Sequence, residues 1–158
     1  MIKAWGRFFA QLHQISKQFS KDFPEVANRI QNWNQIHHGV LSKIKLDEAD
    51  EVDVGNVEFY GVIHGDLNTS NQYFDREGEY ISVFDTDQTQ RGFYEWDIAQ
   101  AIFGVTMLKE AGLPISGTPV PEADPEYFTE TIVKGYESVA GEGKINRGRL
   151  ERMVKMKR

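Results

Sequence analysis

In the run V-I-H-G-D-L-N-T-S-N, from Val62 to Asn71, a carboxylate at Asp66 precedes an amide at Asn71 by five residues. That pair can do two jobs at one place. A carboxylate accepts a proton from an attacking hydroxyl, and an amide oxygen is a hard ligand for a cation. A second carboxylate, Asp85, follows behind a hydrophobic run, and Asp87 stands two residues beyond it. One carboxylate and one amide suffice for Mg²⁺, which keeps several waters and usually completes its shell with substrate phosphates. These residue types therefore allow metal-assisted transfer to a hydroxyl, with Asp66 placed to take the proton. The competing reading is a surface loop rich in Asn, Asp and Thr because turns favour them.

The pair Asn71 and Asp85 can act together only if the chain folds back between them. Gln72 to Phe74 and Ile81 to Phe84 are short apolar-rich runs separated by D-R-E-G-E-Y, in which D-R-E-G has Asp75 and Gly78 at the outer positions of a type I turn. This predicts an antiparallel hairpin, whose open end holds the start of the first strand and the end of the second. Asn71 and Asp85 then emerge side by side. Phe59 to Ile63 reads as a buried strand leading into His64, and Thr86 to Phe93 as a polar loop, a candidate substrate lip. A helix from about Trp96 carries Asp97 in its first turn and Ile98, Ile102, Val105 and Leu108 on one face, with Gly112 and Pro114 to stop it.

The segments H-G-D-L-N-T-S-N, F-D at Phe84–Asp85 and D-I-A from Asp97 resemble the aminoglycoside phosphotransferase family, with its choline-kinase and homoserine-kinase-like relatives in the protein-kinase-like fold. The resemblance implies Asp66 as catalytic base, Asn71 and Asp85 as Mg²⁺ ligands, and His64 and Asp97 as residues that brace the loop. It also implies ATP as phosphoryl donor and a small-molecule hydroxyl as acceptor. T-D follows Asp85 where protein kinases carry F-G, so Asp87 is a further candidate contact to substrate or a second metal. F-F-A-Q-L-H resembles the helix that opens the family's larger lobe, with His13 packed in its body. No glycine-rich strand-turn-strand precedes the catalytic loop, and no strand lysine pairs with a helix glutamate. The expectation is the C-terminal lobe over residues 1–158, with the ATP-covering lobe absent and supplied in cis or in trans.

The remaining sequence bounds this reading. Hydrophobic residues at 40% and charged residues at 27% are ordinary globular values for one domain. The net charge is −6, and the stretch from Lys144 to Arg158 holds seven basic residues against Glu151, which leaves −12 on the rest. Nucleic-acid binding by an acidic body is disfavoured, and the basic stretch reads as a solvated helix face. No cysteine occurs and no apolar run reaches membrane-span length, so cytoplasm is the expected compartment and a membrane is not. Met1 to Lys21 is acid-free like a transit peptide, but Ser and Arg are sparse. Trp5, Phe8, Phe9, Leu12, Ile15 and Phe19 make it an amphipathic helix instead.

A second helix is expected from Pro24 through Val26, Ile30, Trp33 and Ile36, with His37 and His38 a surface feature. D-E-A-D-E-V-D, from Asp47 to Asp53, reads as a solvated loop. Asp124 and Pro125 open a helix carrying Phe128, Ile132, Tyr136 and Val139, and a last helix begins near Arg147. G-E-G at Gly141–Gly143 is a helix-end loop.

The fold expected is α+β and mostly helical, a protein-kinase-like C-terminal lobe with a small hairpin at its active site. The function expected is ATP γ-phosphoryl transfer to a hydroxyl, with self-association through the surface a small lobe would cover. A non-catalytic remnant, or pseudokinase, serving as a binding module is the alternative. A metal-dependent hydrolase on Asp66 and Asp85 would need more ligands than the chain offers in one cluster.

Overall fold

The computed structural model describes residues 1–36, 48–75, 77, 80–112 and 124–157. Among them the order is α1 (Ile2–Asp22), α2 (Pro24–Arg29), α3 (Trp33–Ile36), α4 (Glu48–Asp53), β1 (Tyr60–Ile63), β2 (Gln72–Phe74), β3 (Ile81–Val83), β4 (Gln90–Phe93), α5 (Glu95–Glu110), α6 (Pro125–Ala140) and α7 (Arg147–Met156). The architecture is α+β and mostly helical. His37, His38, Asp47, Gly78 and Pro114 lie outside the described residues, as does most of the proline-rich segment before Asp124.

The long helices form because each buries one stripe. Ile2, Trp5, Phe9, Ala10 and His13 of α1 turn inward at helical spacing. Trp5 meets Phe74 and Phe128 edge-on, at 5.7 Å between ring centroids in each case. Ile15, expected on the same stripe, is 68% exposed. The apolar surface of α1 is wider than the core it faces, and Leu12, Ile15 and Phe19 line a separate groove. Where α1 and α6 cross, glycines let the backbones touch. A Cβ on Gly6 would stand 2.0 Å from the Ile132 carbonyl oxygen, and one on Gly135 would stand 2.4 Å from that of Lys3. Asp124 caps α6, its Oδ2 accepting from the Glu126 and Tyr127 amides.

Three expectations change. The second helix breaks after Arg29, where Ile30 turns extended (φ −68°, ψ 130°). Arg91 holds the break: its amide donates to the Gln31 carbonyl at 2.9 Å and its Nε to that of Ile30 at 3.2 Å. The chain resumes as α3, which buries Trp33 against Trp96 and Phe93. Thr86–Phe93 is not loop throughout, because its last four residues form β4, paired antiparallel with β1 in the register Tyr60↔Phe93 to Ile63↔Gln90. The acidic run is not a solvated loop either. It forms α4, and Asp50 is fully buried.

The basic last helix supplies the reason. Arg149 of α7, only 1% exposed, donates to Asp50 at 3.0 Å, Asp53 at 2.8 Å and Glu95 at 2.9 Å. Arg152 also reaches Asp50. Arg149 and Arg152 thus neutralise Asp50 and Asp53 on the inner face of α7, whereas Arg147, Glu151 and Lys155 of the same stretch are exposed, as a solvated helix face would be. Burial works against the Arg149 charge, but Glu95, with Asp53 and Asp50, more than offsets it and its pKa is raised. The network ties α4, the start of α5 and α7 into one unit.

Candidate active site

The hairpin forms as the spacing requires, with β2 paired to β3 from Gln72↔Val83 to Phe74↔Ile81. One further bond, from the Phe84 amide to the Asn71 carbonyl at 3.2 Å, extends the ladder past its open end. Asn71 thus stands opposite Phe84, next to Asp85. Asp85 has φ 63°, the single left-handed non-glycine backbone among the described residues. Such a conformation costs about 1–3 kcal/mol and persists only where the surroundings impose it. Asp85, Asp87 and Phe84 are all exposed.

The loop between β1 and β2 is held from beneath. Asp97, fully buried in the first turn of α5, accepts from the Gly65 amide at 2.8 Å on Oδ1 and from the His64 amide at 3.1 Å on Oδ2. Oδ2 also lies 3.3 Å from His13 Nε2, and His13 Nδ1 lies 3.2 Å from the Tyr136 hydroxyl. One carboxylate therefore joins the loop to α1 and, through His13, to α6. Burial pushes the Tyr136 hydroxyl pKa up. Gly65 has φ 87°, and a Cβ there would meet the Gln88 carbonyl oxygen at 2.2 Å. Its own carbonyl accepts from Trp96 Nε1 at 2.9 Å, and the His64 Nε2 lies 3.2 Å from the Phe84 carbonyl, bracing the loop against the end of the hairpin.

Asp66 is half-buried at the centre of this frame. Its Oδ1 accepts from the side-chain amides of Asn68, at 3.0 Å, and Gln100. Its Oδ2 accepts from Asn71 Nδ2 at 3.1 Å, and the same Nδ2 reaches the Asp66 carbonyl at 2.9 Å. A carboxylate offers about four acceptor positions, so Oδ2 keeps one for an incoming hydroxyl. Both N–H bonds of the Asn71 amide are spent on Asp66. Its oxygen is the atom left for a cation.

A cavity of about 380 Å³ opens over this centre, lined by Asp66, Asp85, Asp87, Gln88, Trp96, Gln100 and Lys157. The hard-oxygen donors Asp85 and Asn71 suit Mg²⁺ or Ca²⁺ with water and substrate oxygens completing the shell. No group of three or more His, Cys, Asp or Glu able to hold a metal occurs among the described residues. Two contributors escape sequence reasoning. Gln100 lies one helical turn beyond Trp96, a spacing that could have flagged it once Asp97 was placed. Lys157 carried no local signal: it reaches the cavity from the far end of α7.

No family model and no curated protein matches the chain. Among solved structures it is similar to amicoumacin kinase hAmiN, determined in complex with AMP-PNP, Ca²⁺ and Ami, with a TM-score of 0.67. The alignment covers 99% of this chain and 48% of that one at 19% identity. The chain thus has a kinase-like fold and spans about half the length of that kinase.

Proposed function

We propose that the chain is the catalytic-loop lobe of an ATP-dependent phosphotransferase that moves the γ-phosphoryl group to a hydroxyl of a small molecule. The observation that carries this reading is the placement of Asp66, with an acceptor position left on Oδ2, beside Asn71 and Asp85 at the open end of one hairpin. The likeness to a kinase solved with AMP-PNP and Ca²⁺ supports it.

In this reading Asp66 Oδ2 accepts the proton of the acceptor hydroxyl as its oxygen bonds to the γ-phosphorus. The bond from that phosphorus to the β,γ-bridging oxygen breaks, and ADP carries the bond's electron pair away. Asn68, Gln100 and Asn71 hold the carboxylate so that little reorientation is needed at the moment of transfer. Asp97 and His64 fix the loop that carries it. The Asn71 oxygen and the Asp85 carboxylate would hold a divalent cation such as Mg²⁺, which would supply charge neutralisation on the phosphates. Asp87, exposed on the same rim, is a second contact to substrate or metal.

The test is phosphoryl transfer from ATP to a panel of hydroxylated small molecules, with a kinase small lobe joined ahead of residue 1. Asp66→Asn should lower turnover by ~10²-fold or more, the usual contribution of a positioned general base, with its melting temperature little changed. Near wild-type turnover in that variant removes Asp66 from the mechanism. Tight Mg·ATP binding with no turnover on any acceptor favours the binding-module alternative.

A further inference from the structure

Lys157 stands where a lysine is not expected. Its Nζ lies 3.4 Å from the centroid of the Trp96 ring, and its side chain lines the same cavity as Asp66, Asp85 and Asp87. Yet it forms no ion pair with any described carboxylate. Lys157 is half-buried, and an ammonium drawn partly out of water normally pairs, because losing hydration without a counter-ion is costly. The indole face offers partial compensation through its quadrupole, and Trp96 is fixed for that purpose by its bond to the Gly65 carbonyl. The shortfall remains visible: burial lowers the Lys157 pKa to about 7, with Asp66 and Asp97 opposing that shift. A cation seated on an aromatic shelf, facing a cavity and with no carboxylate partner among the described residues, is arranged for a partner that arrives with the ligand.

We propose that Lys157 is an anion-binding residue of this site, its ammonium pairing with an anionic oxygen of a ligand held over Trp96 beside Asp66. This rests on the phosphotransferase reading for the ligand's identity but not for its charge. Two sources carry the required chemistry: the phosphoryl end of a nucleotide, and an acceptor bearing a carboxylate next to its hydroxyl. The second source would make Lys157 a selector for hydroxy acids over polycationic acceptors. The acceptor would then bring the anion, and a cation-π seat already filled by Lys157 would be closed to an acceptor's amine.

The experiment titrates the whole chain with Mg²⁺ and tripolyphosphate in one arm and with small hydroxycarboxylates, such as glycerate and lactate, in the other. The side-chain NMR signals of Lys157 are followed, with calorimetric affinities for the wild type, Lys157→Met and Lys157→Arg. The expected result is a saturable shift of the Lys157 signals in at least one arm. Affinity there should fall at least tenfold in Lys157→Met and be retained within about threefold in Lys157→Arg, a pattern that loss of packing alone does not produce. The arm that responds names the source. No shift of Lys157 with either probe, or equal affinity in Lys157→Met, overturns the proposal. The two readings fail separately. Anion binding that depends on Lys157 survives a finding that Asp66→Asn leaves turnover intact, whereas turnover lost in Asp66→Asn but unchanged in Lys157→Met refutes only the role of Lys157.

Discussion

At the scale of single residues, the site divides its carboxylates by burial. Asp97 is buried and spends its oxygens on two backbone amides and His13, whereas Asp85 and Asp87 are open to the cavity. Asp85 alone of the two sits beside Asn71, so Asp85→Asn should abolish Mg²⁺-dependent binding of a nucleotide analogue and Asp87→Asn should weaken it less. Calorimetric titration decides, and equal losses would mean that the ligand is misassigned. Lys157 gives a pH prediction of definite sign. With its pKa lowered from 10.5 to about 7 by burial, the folded chain binds fewer protons than the unfolded one between those values. Stability should therefore rise with pH across that window, and the cost of the buried charge is fully present below pH 7. Lys157→Met should flatten the profile and stabilise the protein near pH 7 by about 1–3 kcal/mol, read by urea unfolding at pH 7, 8.5 and 10. Parallel profiles for the two proteins would count against a half-buried ammonium with no carboxylate partner among the described residues. The loop and hairpin were legible because their signals are local, a five-residue spacing and two strands across a short turn. Lys157 was not legible, since nothing in M-K-R at Met156–Arg158 announces a cavity ninety residues away at Asp66.

At the scale of elements, long-range pairing decides what local pattern cannot. Periodicity alone extends α2 through Ile36, but Arg91 of β4 captures the carbonyls of Ile30 and Gln31 and the helix ends early. The strand β4 itself, Q-R-G-F, has no apolar alternation to reveal it and exists because β1 offers it a ladder. The acidic run departs from the expected solvated loop for a related reason: charge predicts solvent only when no opposite charge reaches it, and Arg149 and Arg152 of α7 do. Removing one partner from such a buried network leaves the others uncompensated, so Arg149→Met should destabilise the fold by roughly 3–5 kcal/mol. Denaturant unfolding would show it, and a loss below about 1 kcal/mol would mean the network is wetter than its geometry implies. The crossing of α1 and α6 is equally exacting. Gly6→Ala drives a methyl into the Ile132 carbonyl, a backbone atom that cannot step aside, and should cost at the upper end of ~1–3 kcal/mol. A surface glycine such as Gly143, with nothing within 4 Å of an added Cβ, lacks that clash.

At the scale of the whole molecule, the chain has a kinase-like fold and spans 48% of its structural neighbour, and the lobe reading proposed above predicts an edge that a small lobe would cover. An apolar groove formed by Leu12, Ile15, Phe19 and Val62 adjoins His64 and Thr86 at the same edge, and Phe84 is 46% exposed beside it. Residues 1–158 alone are therefore expected to show no measurable phosphoryl transfer and to self-associate, with turnover restored by a small lobe in cis. Light scattering and a phosphorylation assay check this together. Acceptor phosphorylation by the purified monomer, abolished in Asp66→Asn, would overturn it. The convergence on Asp97 has a consequence for motion. Because one buried carboxylate fastens the His64 and Gly65 amides to α5, and through His13 to α1 and α6, that loop has no opening of its own that leaves the helices in place. Its two amide protons should exchange with solvent deuterium only when the helical body itself comes apart, as slowly as those at the centre of α1, although they belong to neither helix nor strand. In the phosphotransferase reading, the segment that carries the proposed base would then be among the most rigid of the chain, and any rearrangement would fall to the Asp85–Gln88 rim instead.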